Sequence, residues 1–466
     1  MLACCLLSTR LQKILRNMKK RTVFLVLSLL LIAASGVLII KSATKKKDPE
    51  KETTVYEFLG RKTALAYPAE WAVAKNNAEV LLNKIKKDPS DVKSMMILTG
   101  MYLQEARITG NFNYYNAAAF QYINKVLEKD AKNFEALTFK VTILLSQHRF
   151  TEGLNEANKL QQLYPHNAYV YGLMVDGNVE LGNYKAAVEA ADKMISIRPD
   201  SRSYSRIAYL REIHGDISGA IEAMKMAVDA GAPGDENTEW YRIQLGKLYE
   251  KIGKMKDAEM FYSISSANRP NYPYALAGLA RIATWKKEYD RALTLYQQAD
   301  SLIPDHTFKE GIAEIYTLTA QSEKAKLVAE EILNYMKQFS GNKENKTGQN
   351  EDHEMAHAYM GVGNYGKALE YALQEYNRRP SNIEVNETVA VVCYNMGNYP
   401  LALSYIDSAL RTNCKNPDLL CHAGMIYAKM GRTKEGKRFL EEAMKNNPNI
   451  APELKIESKK ILSELL

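Results

Sequence analysis

The sequence predicts an all-α fold, a superhelical solenoid of about ten helix-turn-helix units set behind one N-terminal transmembrane helix. Three observations carry this. Pro165, Pro199, Pro233, Pro270 and Pro304 stand 34, 34, 37 and 34 residues apart, and self-similarity at a fixed period of this size is the signature of a repeat array. In the same phase a Gly opens an Ala-rich stretch, as in Gly182-Asn183-Tyr184-Lys185-Ala186-Ala187 and Gly397-Asn398-Tyr399-Pro400-Leu401-Ala402. Ahead of both, Thr22 to Ile40 is a run of 19 residues without a charge.

The first elements in order are a basic segment at 1–21, the apolar run at 22–40 and a linker at 41–68. The formal net charge of +8 belongs to this end of the chain, because residues 1–51 hold 11 Lys and Arg against Asp48 and Glu50, leaving 51 basic and 52 acidic residues in the remainder. A nucleic-acid-binding body needs a cationic face on its folded part, so no nucleic-acid partner is expected. The 19 apolar residues span about 28 Å as a helix, close to the thickness of a bilayer's hydrocarbon core. Ala34-Ser35-Gly36 offers a small-residue cleavage site, but Val37-Leu38-Ile39-Ile40 continues the apolar run past it, which favours an uncleaved anchor over a signal peptide. Met18 followed by Lys19-Lys20-Arg21 resembles the start of a bacterial export signal. Lysines and arginines flank the run on both sides, six before and five after, and favour a cytoplasmic N-terminus with the body outside. The localisation expected is therefore a single-pass membrane protein with an extracytoplasmic body.

Beyond the linker, a helix at Ala69 to Lys87 precedes units that begin near Val92, Phe134, Ala168, Ser201, Glu239, Pro273, His306, Gln349, Ile383 and Pro417, and an amphipathic segment at Ile450 to Leu466 follows them. The two flanking helices read as caps on the ends of the array. Each unit's Gly falls where a first helix must end and the chain reverse. Ala187, Ala220, Ala258, Ala292, Ala325, Ala368 and Ala402 recur where two helices should cross closely. The first unit carries an insertion around Arg107 to Asn113. Residues 341–348, inside the polar stretch Gly341 to Glu351, interrupt the phase by eight and read as a flexible joint between a block of seven units at 69–340 and a block of three at 349–466.

The 34-residue unit resembles the tetratricopeptide repeat, most fully at Leu245-Gly246, Tyr249, Gly253, Ala258, Tyr262 and Pro270, and the resemblance covers about 380 of the 466 residues. It implies a right-handed superhelix whose concave groove presents side chains to protein or peptide partners. The family's groove positions fall here on Tyr169, Asp176, Arg202, Tyr209, Trp240, Lys247, Tyr274, Arg281, Trp285, Glu310, Glu314, His353, His357, Glu387 and Tyr394. Of these, Tyr169, Tyr209, Trp240, Lys247, Tyr274, Arg281, Trp285 and Tyr394 form the expected partner-binding set, with aromatic and Arg residues of the type that dominates interfaces. The Lys, Asn and Arg clamp with which some family members hold C-terminal carboxylates is not reproduced in order.

One motif points to different chemistry. His353-Glu354-Met355-Ala356-His357 reads H-E-x-x-H, which on a helix sets two imidazoles on one face for zinc with the Glu to activate water, and the third ligand such a peptidase would use is Glu370 or Glu375 on the next helix, Glu375 lying 18 residues after His357. Met355, Ala356 and Tyr359 fall on framework positions of the repeat, however, and the extended form of the motif is absent. The chain holds no G-x-G-x-x-G after a strand, no Walker-type loop and no G-x-S-x-G. None of the five cysteines is spaced as a zinc ligand pair, and the three outside the N-terminus, Cys393, Cys414 and Cys421, read as small buried apolar side chains. No catalysis, metal or cofactor is expected. The function expected is a membrane-anchored interaction scaffold of the bacterial envelope, with a zinc peptidase and a secreted soluble accessory protein as the two alternatives.

Overall fold

A computed structural model describes residues 56–340, 350–447 and 450–465. The chain divides into two compact units, residues 1–56 and 57–466, and every helix named below belongs to the second. The run at 22–40 and the joint at 341–348 lie outside the described residues. Among the described residues no helix is long and apolar enough to cross a membrane.

The described secondary structure is entirely helical. A cap helix α1 (Pro68–Lys87) is followed by ten antiparallel pairs: α2 (Val92–Thr109) and α3 (Phe112–Lys129), α4 (Phe134–Ser146) and α5 (Phe150–Leu163), α6 (Ala168–Glu180) and α7 (Tyr184–Ile197), α8 (Ser201–Ile213) and α9 (Ile217–Asp229), α10 (Glu236–Lys251) and α11 (Met255–Asn268), α12 (Pro273–Trp285) and α13 (Tyr289–Leu302), α14 (His306–Leu318) and α15 (Ser322–Ser340), α16 (Asp352–Gly361) and α17 (Tyr365–Arg378), α18 (Ile383–Asn395) and α19 (Tyr399–Ala409), and α20 (Pro417–Lys429) and α21 (Thr433–Asn446). Helix α22 (Pro452–Glu464) closes the array. The first pair absorbs its insertion by lengthening both helices to 18 residues.

Short polar side chains start many of the helices. Asp91, Asn133, Asp200, Asp216, Asp305, Asn382 and Asn416 each accept a hydrogen bond from a backbone N–H of the first turn that follows, which satisfies donors the helix cannot. Between the helices of a pair the chain turns through one left-handed residue. In seven units it is a glycine (Gly110, Gly182, Gly215, Gly253, Gly363, Gly397, Gly431), and His148, Lys287 and Ala320 hold the same place in the other three. The turn is thus a property of the repeat geometry, imposed even where an L side chain costs about 1 kcal/mol or more.

Packing follows from small residues at the crossings. Ala187, Ala220, Ala258, Ala292, Ala368 and Ala402 have no exposed surface, whereas Ala325 is only partly buried. The Tyr262 ring is fully buried and fills the space left by two glycines on neighbouring first helices, since a Cβ on Gly246 or Gly278 would come within 2.3 or 2.6 Å of it. Cys393, Cys414 and Cys421 are free and buried.

The array winds far enough to meet itself. Tyr67 donates its hydroxyl to the Pro270 carbonyl at 2.7 Å across 203 residues, and Arg269 donates to Glu70 at 2.9 Å across 199. Arg379 donates to Glu180 at 2.6 Å and Ile383 N–H to the Tyr184 hydroxyl at 2.9 Å, each across 199. His148 meets the Asn350 carbonyl at 2.9 Å across 202. These separations of 199 to 203 residues are about one superhelical turn, so each contact joins elements five or six units apart. Apolar packing follows the same seam: Val175, Val179 and Tyr184 share one cluster with Ile383, Val389, Ile406 and Leu419.

Side chains from both the 69–340 and the 349–466 stretch build this one core. The linker expected to run to residue 68 ends earlier: Arg61 is buried, donating to Glu105 at 2.5 and 2.9 Å and to Glu70 at 2.6 Å, and Leu65 packs with Leu276 and Phe308. A strap of polar appearance becomes part of the solenoid because an arginine between two acids satisfies its charge where the chain is buried.

At the seam, Gly182 does more than turn. A Cβ there would lie 2.0 Å from the Ser381 carbonyl oxygen, whereas one on Gly397 would meet nothing. Gly397→Ala should therefore lose only the left-handed strain of about 1–2 kcal/mol, while Gly182→Ala should lose clearly more and raise amide exchange in α6, α7 and α18. Parallel denaturation and exchange measurements on the two variants check this.

Candidate functional site

The first helix of each pair lines the inside of the superhelix, and its charges are tied from helix to helix. Arg206 on α8 holds Asp176 on α6 through Nε and Nη2 at 2.8 and 2.6 Å. Arg281 on α12 holds Glu250 on α10 at 3.0 and 3.2 Å and donates to the Tyr262 hydroxyl at 3.1 Å. Lys251 pairs with Glu212. The Arg206–Asp176 pair is two-pronged and fixes direction as well as charge, while Arg281 shares its single Nε–H between the two Glu250 oxygens. An aromatic row runs beside them: Trp240 and Tyr274 meet edge to face at 5.0 Å, and Tyr274 leans on Phe308 at 5.9 Å.

The expected groove residues gather into three cavities. Asp176, Tyr209, Trp240 and Tyr274 line one of about 580 Å3 together with Arg107, Phe112 and Arg206. Lys247, Arg281, Trp285 and Glu314 line a second of about 790 Å3. Tyr169 and Arg202 line a third of about 410 Å3, with the Arg202 guanidinium 5.4 Å over the Tyr169 ring. Tyr394 is brought to none of them; its hydroxyl donates to Glu457 on the C-terminal cap at 2.9 Å. Glu310 sits near His306, 3.9 Å from its Nε2, and Glu387 accepts from His422 at 2.8 Å.

Burial governs the chemistry of these walls. The Tyr209 hydroxyl donates to Glu384 at 3.3 Å, and the charge of Glu384 together with burial pushes the phenol well above its ordinary range. The ring is 36% exposed, so the water it meets is that of a narrow bore enclosed by two turns of protein. Burial pushes the Glu180 carboxyl up to about 7, with Glu384 adding to the rise and Arg379 opposing it. Lys247 lies 5.9 Å from the Trp240 ring; burial lowers its ammonium to about 8, and neighbouring Arg281 adds to the fall.

The H-E-x-x-H string lies on α16, and it sets the rings of His353 and His357 4.7 Å apart. Burial lowers both imidazoles to about 4, so they stay neutral above that pH. Glu375, a third ligand for the peptidase alternative, is elsewhere engaged. Arg378 and Arg379 both donate to Glu375, and although burial alone would raise this carboxyl, the two guanidiniums hold it below its ordinary value. His357 instead meets the Thr388 hydroxyl at 3.3 Å, and His148 meets Glu354 at 3.5 Å. Among the described residues no group of three or more His, Cys, Asp or Glu is placed to hold a metal ion.

Sequence reasoning missed the residues that enter the bore from the neighbouring turn. Asp418 and Ile450 join Lys247 and Arg281 in the larger cavity, and Arg379 and Glu384 reach Glu180 and Tyr209 on the wall of the other, but only the pitch of the superhelix brings them there. The one available signal was the number of units, since ten exceed the six that one turn takes.

Residues 417–450, which hold α20 and α21, match the tetratricopeptide repeat family model. The chain is similar to a tetratricopeptide repeat protein of Parabacteroides merdae at 17% identity, covering 57% of this chain and 98% of that one with a TM-score of 0.33. It is also similar to YrrB, described as a TPR protein with an unusual peptide-binding site, at 18% identity, covering 40% of this chain and 94% of that one with a TM-score of 0.28. None of the curated proteins matches the chain.

An ammonium lowered to about 8 is half neutral at that pH, two units or more below an ordinary lysine. Acetylation of Lys247 by a mild amine reagent, followed residue by residue with mass spectrometry, should reach half its limiting rate near pH 8, whereas a lysine in a short unfolded peptide should still be accelerating at pH 10.

Proposed function

We propose that this protein is a membrane-anchored scaffold of the bacterial envelope that holds a protein or peptide partner in its bore. The observation that carries the reading is the convergence of Tyr209, Trp240 and Tyr274, from three successive first helices, on one cavity of about 580 Å3. Aromatic side chains bury large apolar area at small entropic cost and concentrate binding energy at interfaces. Here they stand among arginines whose charge is already matched by acids, so the cavity offers shape and polar direction without a net field. Repeat walls of this kind vary their targets by changing wall side chains while the geometry stays fixed.

The anchor reading is supported by the uncharged run at 22–40 and the basic residues on either side of it. In an anionic membrane those lysines and arginines add electrostatic attraction to the insertion of the run. On this reading the body faces away from the cytoplasm. The secreted alternative differs in the mature N-terminus.

Two experiments test the proposal. A photo-crosslinker at Gln244, which lines the cavity, should capture partner protein in native membranes, and Tyr209→Ala combined with Trp240→Ala should reduce the captured product about tenfold or more. A variant that melts like the parent yet captures as much overturns the cavity assignment. Carbonate extraction should leave the full-length chain in the membrane pellet with residues 22–40 retained, and a mature N-terminus beginning beyond Gly36 overturns the anchor.

A further inference from the structure

The larger cavity, of about 790 Å3, lies between the first helices α10, α12 and α14 on one side and α20 with the approach to α22 on the other. Three of its charges are consumed internally, Glu250 with Arg281 and Lys251 with Glu212. Five others are not. Lys247, Glu314 and Asp418 line the cavity, and among the described residues none of these side chains forms an ion pair or a charged hydrogen bond. Lys287 and Lys455, the remaining cations of the lining, form no ion pair with the two acids. Burial raises both carboxyls, and Asp418 is among the charges that raise Glu314 further.

Unmatched charges of both signs at separate places on the wall of one partly enclosed cavity, with Lys247 and Glu314 half-buried and Asp418 exposed at its edge, gain most from a ligand that brings the counter-charges. The order along the wall is fixed by the repeat: Lys247, Arg281 and Glu314 hold the same register on three successive first helices, and Asp418 joins Glu314 from the next superhelical turn. A uniformly acidic ligand is repelled by Glu314 and Asp418, and a uniformly basic one by Lys247. Trp285, 37% exposed, adds an indole face on which a cation can rest.

We propose that this cavity binds a dipolar peptide segment, whose acidic side chain pairs with Lys247 and whose basic side chain sits between Glu314 and Asp418 against Trp285. The proposal rests on the scaffold reading above and names the chemistry of its partner. From α10 to α14 is two helix-to-helix steps of about 9 Å each, so the two charges stand about five extended residues apart.

The probe is a fluorescein-labelled, end-blocked Gly-Ser peptide carrying Glu and Lys five residues apart, titrated by anisotropy into the full chain in detergent. Its controls carry Glu at both places, Lys at both, or Gln at both. The dipolar peptide should bind about tenfold tighter or better than each control, the factor that one well-placed charge pair supplies, and the advantage should shrink with added salt. Lys247→Gln should erase the preference for Glu and keep that for Lys, while Glu314→Gln with Asp418→Asn should do the reverse. None of the three side chains makes an internal ion pair, so an unchanged melting curve is expected for each variant. Equal binding of the Gln control, or variants that keep both preferences, overturns the proposal. If the dipolar probe fails while capture at Gln244 still depends on Tyr209 and Trp240, the partner chemistry falls and the scaffold stands; if both fail, the scaffold reading falls too.

Discussion

One superhelical turn of this solenoid rests directly on the next, and the rest of the body depends on that contact. Arg379 is its centre. Buried against the Phe150 ring at 4.8 Å, it donates to Glu375 on its own turn and to Glu180 on the turn before. A buried guanidinium is tolerable only when its donors are matched, and here the matching acids come from units five repeats apart. Apolar side chains close around the pair, so charge fixes the register of the turns and burial supplies the adhesion. An open solenoid has contacts only between neighbours and unfolds by degrees. The seam adds long-range contacts that make distant units cooperate.

The seam also decides what kind of surface the inner wall is. In an open superhelix the first helices would face a wide groove of bulk water. Here the opposite side of the bore is protein, and carboxyls such as Glu180, Glu314 and Glu384 are raised by burial even where a cation stands near. Low local polarisability makes each paired charge stronger and each unpaired one more expensive. The paired arginines therefore act as structure, and the unpaired Lys247, Glu314 and Asp418 remain as the places where a ligand gains most.

Much of the local architecture was legible because it is set by local rules. Eight of the ten first helices begin at the residue that the 34-residue spacing marks; α10 begins at Glu236 and α16 at Asp352, where a longer connection and the polar stretch before Asn350 blur the phase. Lys287 could be recognised as standing in for the turn glycine because its neighbours keep the pattern, and it adopts the left-handed backbone of the others. Of the wall residues, Tyr209, Trp240 and Tyr274 reach a common cavity, while Tyr394 is taken by Glu457 of the cap helix. Periodicity places a side chain on a face, but says nothing of a helix that packs over that face from elsewhere.

The sequence by itself determined the helical class, the length and number of the units, the left-handed turn within each and the small residues at the crossings, because each depends on side chains within about one repeat of one another. It also carried the uncharged run and its basic flanks. Only the tertiary structure decided how the units use their inner wall. The rotation from one unit to the next is small, and its sum over six units sets whether the turns stand apart or touch. No single residue reports that sum, yet it is what buries Arg379 beside Glu180, draws Arg61 and Leu65 out of the linker, and leaves Lys247 and Glu314 without partners inside the bore.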